Sequence, residues 1–378
     1  MHSVGITWST GRPLLFITFS CQLMIDILGI TLPIFALSLS ASPFEIGLLA
    51  TSRALVYSLF TFVMGYVSDR VDRRQLLAYS MLIDGVASVL LYFSRTAFDL
   101  IVLGFFQGLA MAIFWPTMEA LIVSDQDSGI TKSLRNFNVS WGMGVIVGPL
   151  IGGGLITLFG VKSPFLVVLA IAVMNEILVL RYAPRRSTRH EIIELPSLDR
   201  PPIKLVSTTV LVGALGTIFL AFFPAFGVQR GISAFEIGVM LFFFGITRAL
   251  LFFRMPSINV GLQTSVALAS LGLFLVYIGD RVTMYLGTIV SAAATTLLFA
   301  YSLEKFLRGE EATRGRRAGI FEGSAGIGAI LGSFFAGLIA QSSLSYAFLA
   351  ASLIGLAFLA AIRIEKFALQ TPSKGIGA

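Results

Sequence analysis

Gly65-Tyr66-Val67-Ser68-Asp69-Arg70-Val71-Asp72-Arg73-Arg74 joins two long apolar runs. It holds five ionised side chains in a turn too short to be a domain. Such a turn cannot lie in hydrocarbon, so it belongs at a membrane face. Short loops rich in Lys and Arg stay in the cytoplasm, which assigns the face. Gly65 is expected to let two helices approach closely as they leave the bilayer. Asp69 and Arg70 can pair with each other or with charges on a neighbouring helix end. Read alone, the stretch also suits a basic topology anchor in any membrane protein.

The rest of the chain reads as polytopic membrane protein. It has 378 residues, 56% hydrophobic and only 12% charged, against about 25% charged in globular domains. A sequence pI near 9.7 invites a nucleic-acid partner, but the cations follow topology and form no basic patch, so none is expected. Cys21 is the single cysteine and sits in an apolar run, which excludes disulfides. The first apolar run, after Arg12 and Pro13, is too long for a cleaved signal peptide and reads as a retained span.

A span needs about 20 apolar residues. Breaking the chain at charges, Pro and Gly gives twelve spans: 12–39, 44–67, 74–94, 98–123, 131–159, 161–182, 204–229, 235–254, 258–279, 281–303, 317–341 and 343–363. Of the 27 Lys and Arg, 21 fall on alternate loops and both termini, four on the opposite loops, and two, Arg53 and Arg248, inside spans. That bias predicts a cell-membrane protein with both termini cytoplasmic. The longest loop, Arg181 to Lys204, carries Arg185, Arg186, Arg189, Pro196, Pro201 and Pro202. It reads as a cytoplasmic linker, 184–203, between an N-terminal bundle, 1–183, and a C-terminal bundle, 204–378.

The two halves repeat. Pro33 and Pro224 lie 191 positions apart, and so do Phe44-Glu45-Ile46-Gly47 and Phe235-Glu236-Ile237-Gly238. Arg53-Ala54-Leu55 and Arg248-Ala249-Leu250 lie 195 apart, about one helical turn more. Gly142, Gly144, Gly148 and Gly153 match Gly326, Gly328, Gly332 and Gly337 at a constant 184. Both halves run in the same direction, as in parallel repeats related by an axis along the membrane normal. The expected fold is therefore an all-α integral membrane protein, with twelve transmembrane helices in two parallel-repeat six-helix bundles.

The string G-x-x-x-D-R-x-x-R-R at Gly65 resembles the signature loop between spans 2 and 3 of the major facilitator superfamily of secondary transporters. That family usually has Gly where this chain has Asp72. With twelve repeated spans, the resemblance covers the whole chain. Span 5 reads Gly144-Val145-Ile146-Val147-Gly148-Pro149-Leu150-Ile151-Gly152-Gly153. It resembles the span-5 motif of the drug and proton antiporter branch; a plain packing face would look similar. The resemblance implies a central cavity lined by spans 1, 4, 7 and 10. It also implies a conformational gate of Gly65, Asp69, Arg70, Arg73 and Arg74, with Asp125 at the end of span 4 as acidic partner. The resembled antiporters carry an Arg in span 4 where this chain has Gly104, a departure from that family's proton relay.

Ions inside spans are costly enough to be site candidates. Asp26 lies 14 residues past Arg12, roughly 21 Å along span 1. Gln22 precedes it by one turn, and Gly29 and Pro33 continue that face. Asp26 can take a proton or a cationic substrate, or be a carboxyl held by neighbouring helices. Arg53 is expected to find Asp26 or Asp84, as a structural pair or for substrate. The resemblance implies that Asp84, in span 3, faces the bundle periphery, so it is read as structural. Gln107, Met111, Trp115 and Glu119 recur every four residues and read as a substrate wall. Arg135 and Asn138 precede Trp141 by two turns and one, and Glu322 stands at the position equivalent to Asn138. Glu119, Arg248 and Glu322 share inner-half depth and are expected to form a gate or pair.

Isolated His2 and His190 and the single Cys21 give no metal-ligand spacing. No Walker string is present, so ATP drive by this chain is not expected. The reading is a cofactor-free, monomeric transporter, not an enzyme. Its expected partners are the bilayer, a small-molecule substrate and the proton as coupling ion, with export of a small amphipathic or drug-like molecule. The alternatives are a uniporter or importer of a small metabolite, a non-transporting sensor or scaffold, or a scramblase-like lipid mover.

Overall fold

The computed structural model describes residues 11–68, 70–123, 130–184, 202–254, 260–307 and 314–370. These form twelve long helices: α1 (Gly11–Ser38), α2 (Pro43–Ser68), α3 (Arg73–Phe93), α4 (Ala97–Val123), α5 (Ile130–Phe159), α6 (Ser163–Tyr182), α7 (Ile203–Gln229), α8 (Ala234–Arg254), α9 (Leu262–Ile278), α10 (Arg281–Leu307), α11 (Arg314–Ile339) and α12 (Ser345–Gln370). One 3₁₀ turn, Ala340–Ser342, follows α11. Ten of the helices are long and apolar enough to cross a bilayer. The helix starts and ends fall within a few residues of the expected spans, except that α12 runs on to Gln370.

Sequence signals explain the starts. Ser42 and Glu45 form a reciprocal cap on α2: the Ser42 N–H donates to Glu45 Oε2 at 2.7 Å and the Glu45 N–H to Ser42 Oγ at 3.3 Å. Thr96 and Asp99 repeat the arrangement on α4. At α8 the Glu236 N–H donates to Ser233 Oγ at 3.2 Å. Asp72, the departure from the family's Gly, is the N-cap of α3 and accepts from the Arg74 N–H at 3.0 Å.

Packing repeats with the sequence. In the first half α1 packs on α5, α2 on α4, and α3 on α4 and α6. In the second, α7 packs on α11, α8 on α10, and α9 on α10 and α12. Two further contacts join the halves, α5 to α8 and α2 to α11, with α1 meeting α7 between them.

The glycine register is the physical basis of this symmetry. Gly144 and Gly148 press against Gln22 and Asp26 of α1, and Gly152 against Ile27 and Ile30. Their counterparts Gly328 and Gly332 press against Val210 and Ala214 of α7. Gly153 meets Ala234 of α8, and its counterpart Gly337 meets Gly47 of α2. The repeated block Phe-Glu-Ile-Gly divides its labour likewise. The acids lie in the first turns of α2 and α8, Ile46 and Ile237 are buried, and Gly47 and Gly238 admit the other half's α11 and α5. With little hydrophobic drive between helices in lipid, such small-residue seams are how bundles hold.

Gly65 corrects an expectation. Among the described residues a Cβ there would meet nothing within 4 Å. The close approach it was expected to allow is absent because the halves stand apart at its end of α2, as the cavity described next requires.

Candidate functional site

Between the halves lies a cavity of about 360 Å³. Gln22, Ile25, Asp26, Gly29 and Pro33 of α1 line it, with Arg53, Ala54 and Tyr57 of α2. Trp141, Val145 and Pro149 come from α5, Thr217 and Leu220 from α7, and Leu241, Phe244 and Arg248 from α8. Met111 supplies α4's contribution. Prolines at 33 and 149 sit inside their helices, where the missing N–H and ring clash bend the span.

One end is shut. Gly47 packs on Gly337 and Ser333, Gly153 on Ala234, and Gly238 on Pro149. The Phe44 and Phe334 rings meet edge-on at 5.6 Å, Thr51 Oγ1 lies 2.9 Å from Ser333 Oγ, and the Phe235 N–H donates to Thr157 Oγ1 at 3.0 Å. These contacts run from the start of α2 and α8 to their middle. At the other end, which carries the starts of α1 and α11, Glu119, Arg135, Asn138 and Glu322 are exposed. Among the described residues the cavity is closed on one face and open on the face where α1 begins.

Asp26 stands half-buried on the wall, accepting from Gln22 Nε2 one turn earlier at 2.5 Å. Arg53 and Arg248 face it from the two halves, and Asp26 feels both charges. The expected ion pair is not formed. Among the described residues no carboxylate lies within 4 Å of either arginine: the ion pair they show joins Arg281 and Glu236 at 3.0 Å. Arg53 Nη2 lies 3.8 Å from Met111 Sδ, and the Arg248 guanidinium lies 5.6 Å from the centre of the Phe244 ring.

Behind Arg53 is a second void, about 10 Å³, lined by Met24, Ile25, Leu28, Arg53, Asp84, Gln107 and Met111. Asp84 is 7% exposed, so it faces the interior of its bundle, not the periphery. Gln107 is buried, and among the described residues neither of its amide atoms finds a hydrogen-bond partner. The expected α4 wall therefore divides. Gln107 belongs to the small void, Met111 to both, and Trp115 to the core, packed on Phe114 and Phe137 at 4.9 and 6.1 Å. Glu119 reaches the open end.

Arg248 stands with Asp26, not with Glu119 and Glu322 as expected. Those two glutamates, both exposed at the opening, act on each other as like charges, and both act on Tyr57. At the open end Arg73 is buried, its Nε donating to the Ser68 carbonyl at 3.2 Å and Nη1 to the Ala120 carbonyl at 3.3 Å. The loop is thereby tied to the end of α4. Arg70 is exposed, and Arg74 starts α3. Asp69 and Asp125 lie outside the described residues. The wall supplied by Thr217, Leu220, Leu241 and Phe244 was not singled out in the sequence, because apolar residues on apolar helices carry no mark; the place of Phe244 one turn before Arg248 was the one available clue.

The Major Facilitator Superfamily profile matches residues 14–303. An uncharacterised MFS-type transporter of Methanocaldococcus jannaschii is 23% identical over 96% of this chain and 98% of its own length. The multidrug efflux protein YfmO of Bacillus subtilis is 31% identical over 37% of this chain and 36% of its own. The multidrug resistance protein MdtG of Klebsiella pneumoniae is 27% identical over 30% and 28%. Among solved structures, a point mutant of the nucleoside transporter NupG superposes with a TM-score of 0.77 at 14% identity, covering 96% of this chain and all of that one. A bacterial homologue of the lysosomal transporter spinster, inward-facing and occupied, gives 0.77 at 13% over 95% of each. Repeated bundles, a cavity between them shut on one face, and a match along most of the sequence converge: the chain belongs to the major facilitator superfamily, as a multi-pass membrane transporter of small molecules.

Proposed function

We propose that this transporter is a proton-coupled exporter working by alternating access, with Asp26 in the coupling role. The bodies that rock are the N-terminal bundle, 1–183, and the C-terminal bundle, 204–378, about the linker 184–203. The carrying observation is the cavity itself: both halves wall it, one face shuts it, and a carboxylate stands on its wall near mid-span. A group that takes a proton on one side and gives it up on the other must sit where rocking exposes it alternately. Export is favoured by the efflux proteins among the relatives and by the small-residue pattern of α5. The charge bias of the loops supports a cell membrane location with cytoplasmic termini, so the open end faces the cytoplasm. Import of a small organic ion is the second reading, favoured by the two arginines on the wall.

The test is a solute panel in proteoliposomes, with and without an imposed pH gradient. The proposal expects at least one solute to move uphill when the gradient is present and only downhill when it is absent. Transport indifferent to the gradient for every solute that moves would leave uniport in its place.

A further inference from the structure

We propose that the cavity takes an amphipathic organic anion, held by Arg248 and Arg53 together. This rests on the reading of the cavity as the transport site. Among the described residues the ionisable groups on its wall are Arg53, Arg248 and Asp26, a net charge of +1 when all are ionised. Neither cation has a carboxylate within ion-pair distance among the described residues. Arg248 rests on the Phe244 ring and Arg53 against the Met111 sulfur, contacts that leave guanidinium N–H donors free for a planar anion. The carboxylate on the cavity wall, Asp26, accepts its hydrogen bond from Gln22 on its own helix.

The other acids stand off the cavity lining. Asp84 lies behind Arg53 in the small void and is felt from there. Glu119 and Glu322 stand at the opening, beyond the lining. An ion within a span demands a counter-ion, and among the described residues Asp26 is the carboxylate whose charge Arg248 feels. Apart from Gln22, Tyr57 and Thr217 the remaining wall is apolar and aromatic, with Trp141, Phe244 and Leu241 prominent, and the volume falls in the roughly 300–1,000 Å³ range of small-molecule pockets. A carboxylate or phosphonate on an apolar body matches both parts.

The experiment compares three molecules of one shape and different charge, 1-naphthoate, 1-naphthamide and 1-naphthylmethylammonium, by titration calorimetry on the full chain in nanodiscs. The naphthoate is expected to bind at least tenfold more tightly than the amide, and the ammonium more weakly than the amide. Arg248→Gln removes that anion preference, Arg248→Lys retains most of it, and Asp26→Asn strengthens it by taking the competing negative charge away. Preference for the ammonium or the amide overturns the proposal. So does binding of none of the three by protein whose unfolding temperature is normal, or an Arg248→Gln variant that keeps its preference. Because no gradient is applied, failure of proton coupling leaves this result standing, and failure here leaves alternating access untouched.

Discussion

Gly153 offers a way to push the bundles apart at the closed face with one methyl group. A Cβ built on it would lie 2.2 Å from the Ala234 carbonyl oxygen, 2.9 Å from its carbon and 3.1 Å from the Phe235 Cα. All three are backbone, so no rotamer can relieve the clash, and α5 and α8 must part by roughly 1 Å to reach ordinary contact. Overpacking of this kind costs about 1–3 kcal/mol. The cost falls on the conformation in which α5 and α8 touch at this face and vanishes when they separate. Gly153→Ala should therefore shift the balance towards opening at that face by roughly 5- to 150-fold. The neighbouring Gly154 is the control, since a Cβ there would sit 3.8 Å from Phe235 Cδ2, an ordinary contact. The assay places a thiol at Ala54, on the cavity wall, in a Cys21→Ser background and measures its reaction with an impermeant reagent applied to each face. The Gly153→Ala protein should gain reactivity from the closed face while the Gly154→Ala protein matches the parent. Equal reactivity in all three, or the same gain in both variants, would refute the reasoning.

Three other outcomes follow from named contacts. Gly213→Ala puts a Cβ 2.0 Å from the Ala325 carbonyl within the second half; it should lower the unfolding temperature without changing which face is open, as differential scanning fluorimetry beside the thiol assay will report. Ser42→Ala removes one member of the reciprocal cap on α2 and should cost about 1 kcal/mol of stability in a denaturant titration. Ser40, exposed with φ of 60° between α1 and α2, should as Ser40→Cys react with impermeant thiol reagents from outside intact cells; protection there would reverse the orientation.

The fold was legible because membrane architecture writes itself in composition. Apolar runs of the right length, cations on alternate loops and a glycine register repeated at 184 positions each reflect a cost that hydrocarbon imposes. The Phe-Glu-Ile-Gly repeat was visible as a repeat, and its meaning emerged only with the helix ends and the partner bundle in place. Side-chain direction was harder. Helical spacing put Gln107, Met111, Trp115 and Glu119 on one stripe, but a 27-residue helix surrounded by neighbours spends one stripe on several environments. Trp115 went to the core and Gln107 to a different void. Gly65 failed for another reason: a glycine permits close approach, and whether a neighbour comes depends on which face is closed. Asp26, Gln22, Arg53, Trp141 and Arg248 did converge on one cavity, because polar groups on otherwise apolar helices have few places to go.

Gradient-driven transport by Asp26→Asn decides whether this carboxylate couples the proton to the solute. The substitution keeps the size of the side chain and removes its charge at the wall where α1 meets α5. The protein would be reconstituted in proteoliposomes and given a solute that the parent moves uphill under a pH gradient. The account predicts that uphill movement is lost while downhill exchange and folding survive. Undiminished pH-driven transport by a well-folded Asp26→Asn protein would contradict it and turn attention to Glu119 and Glu322.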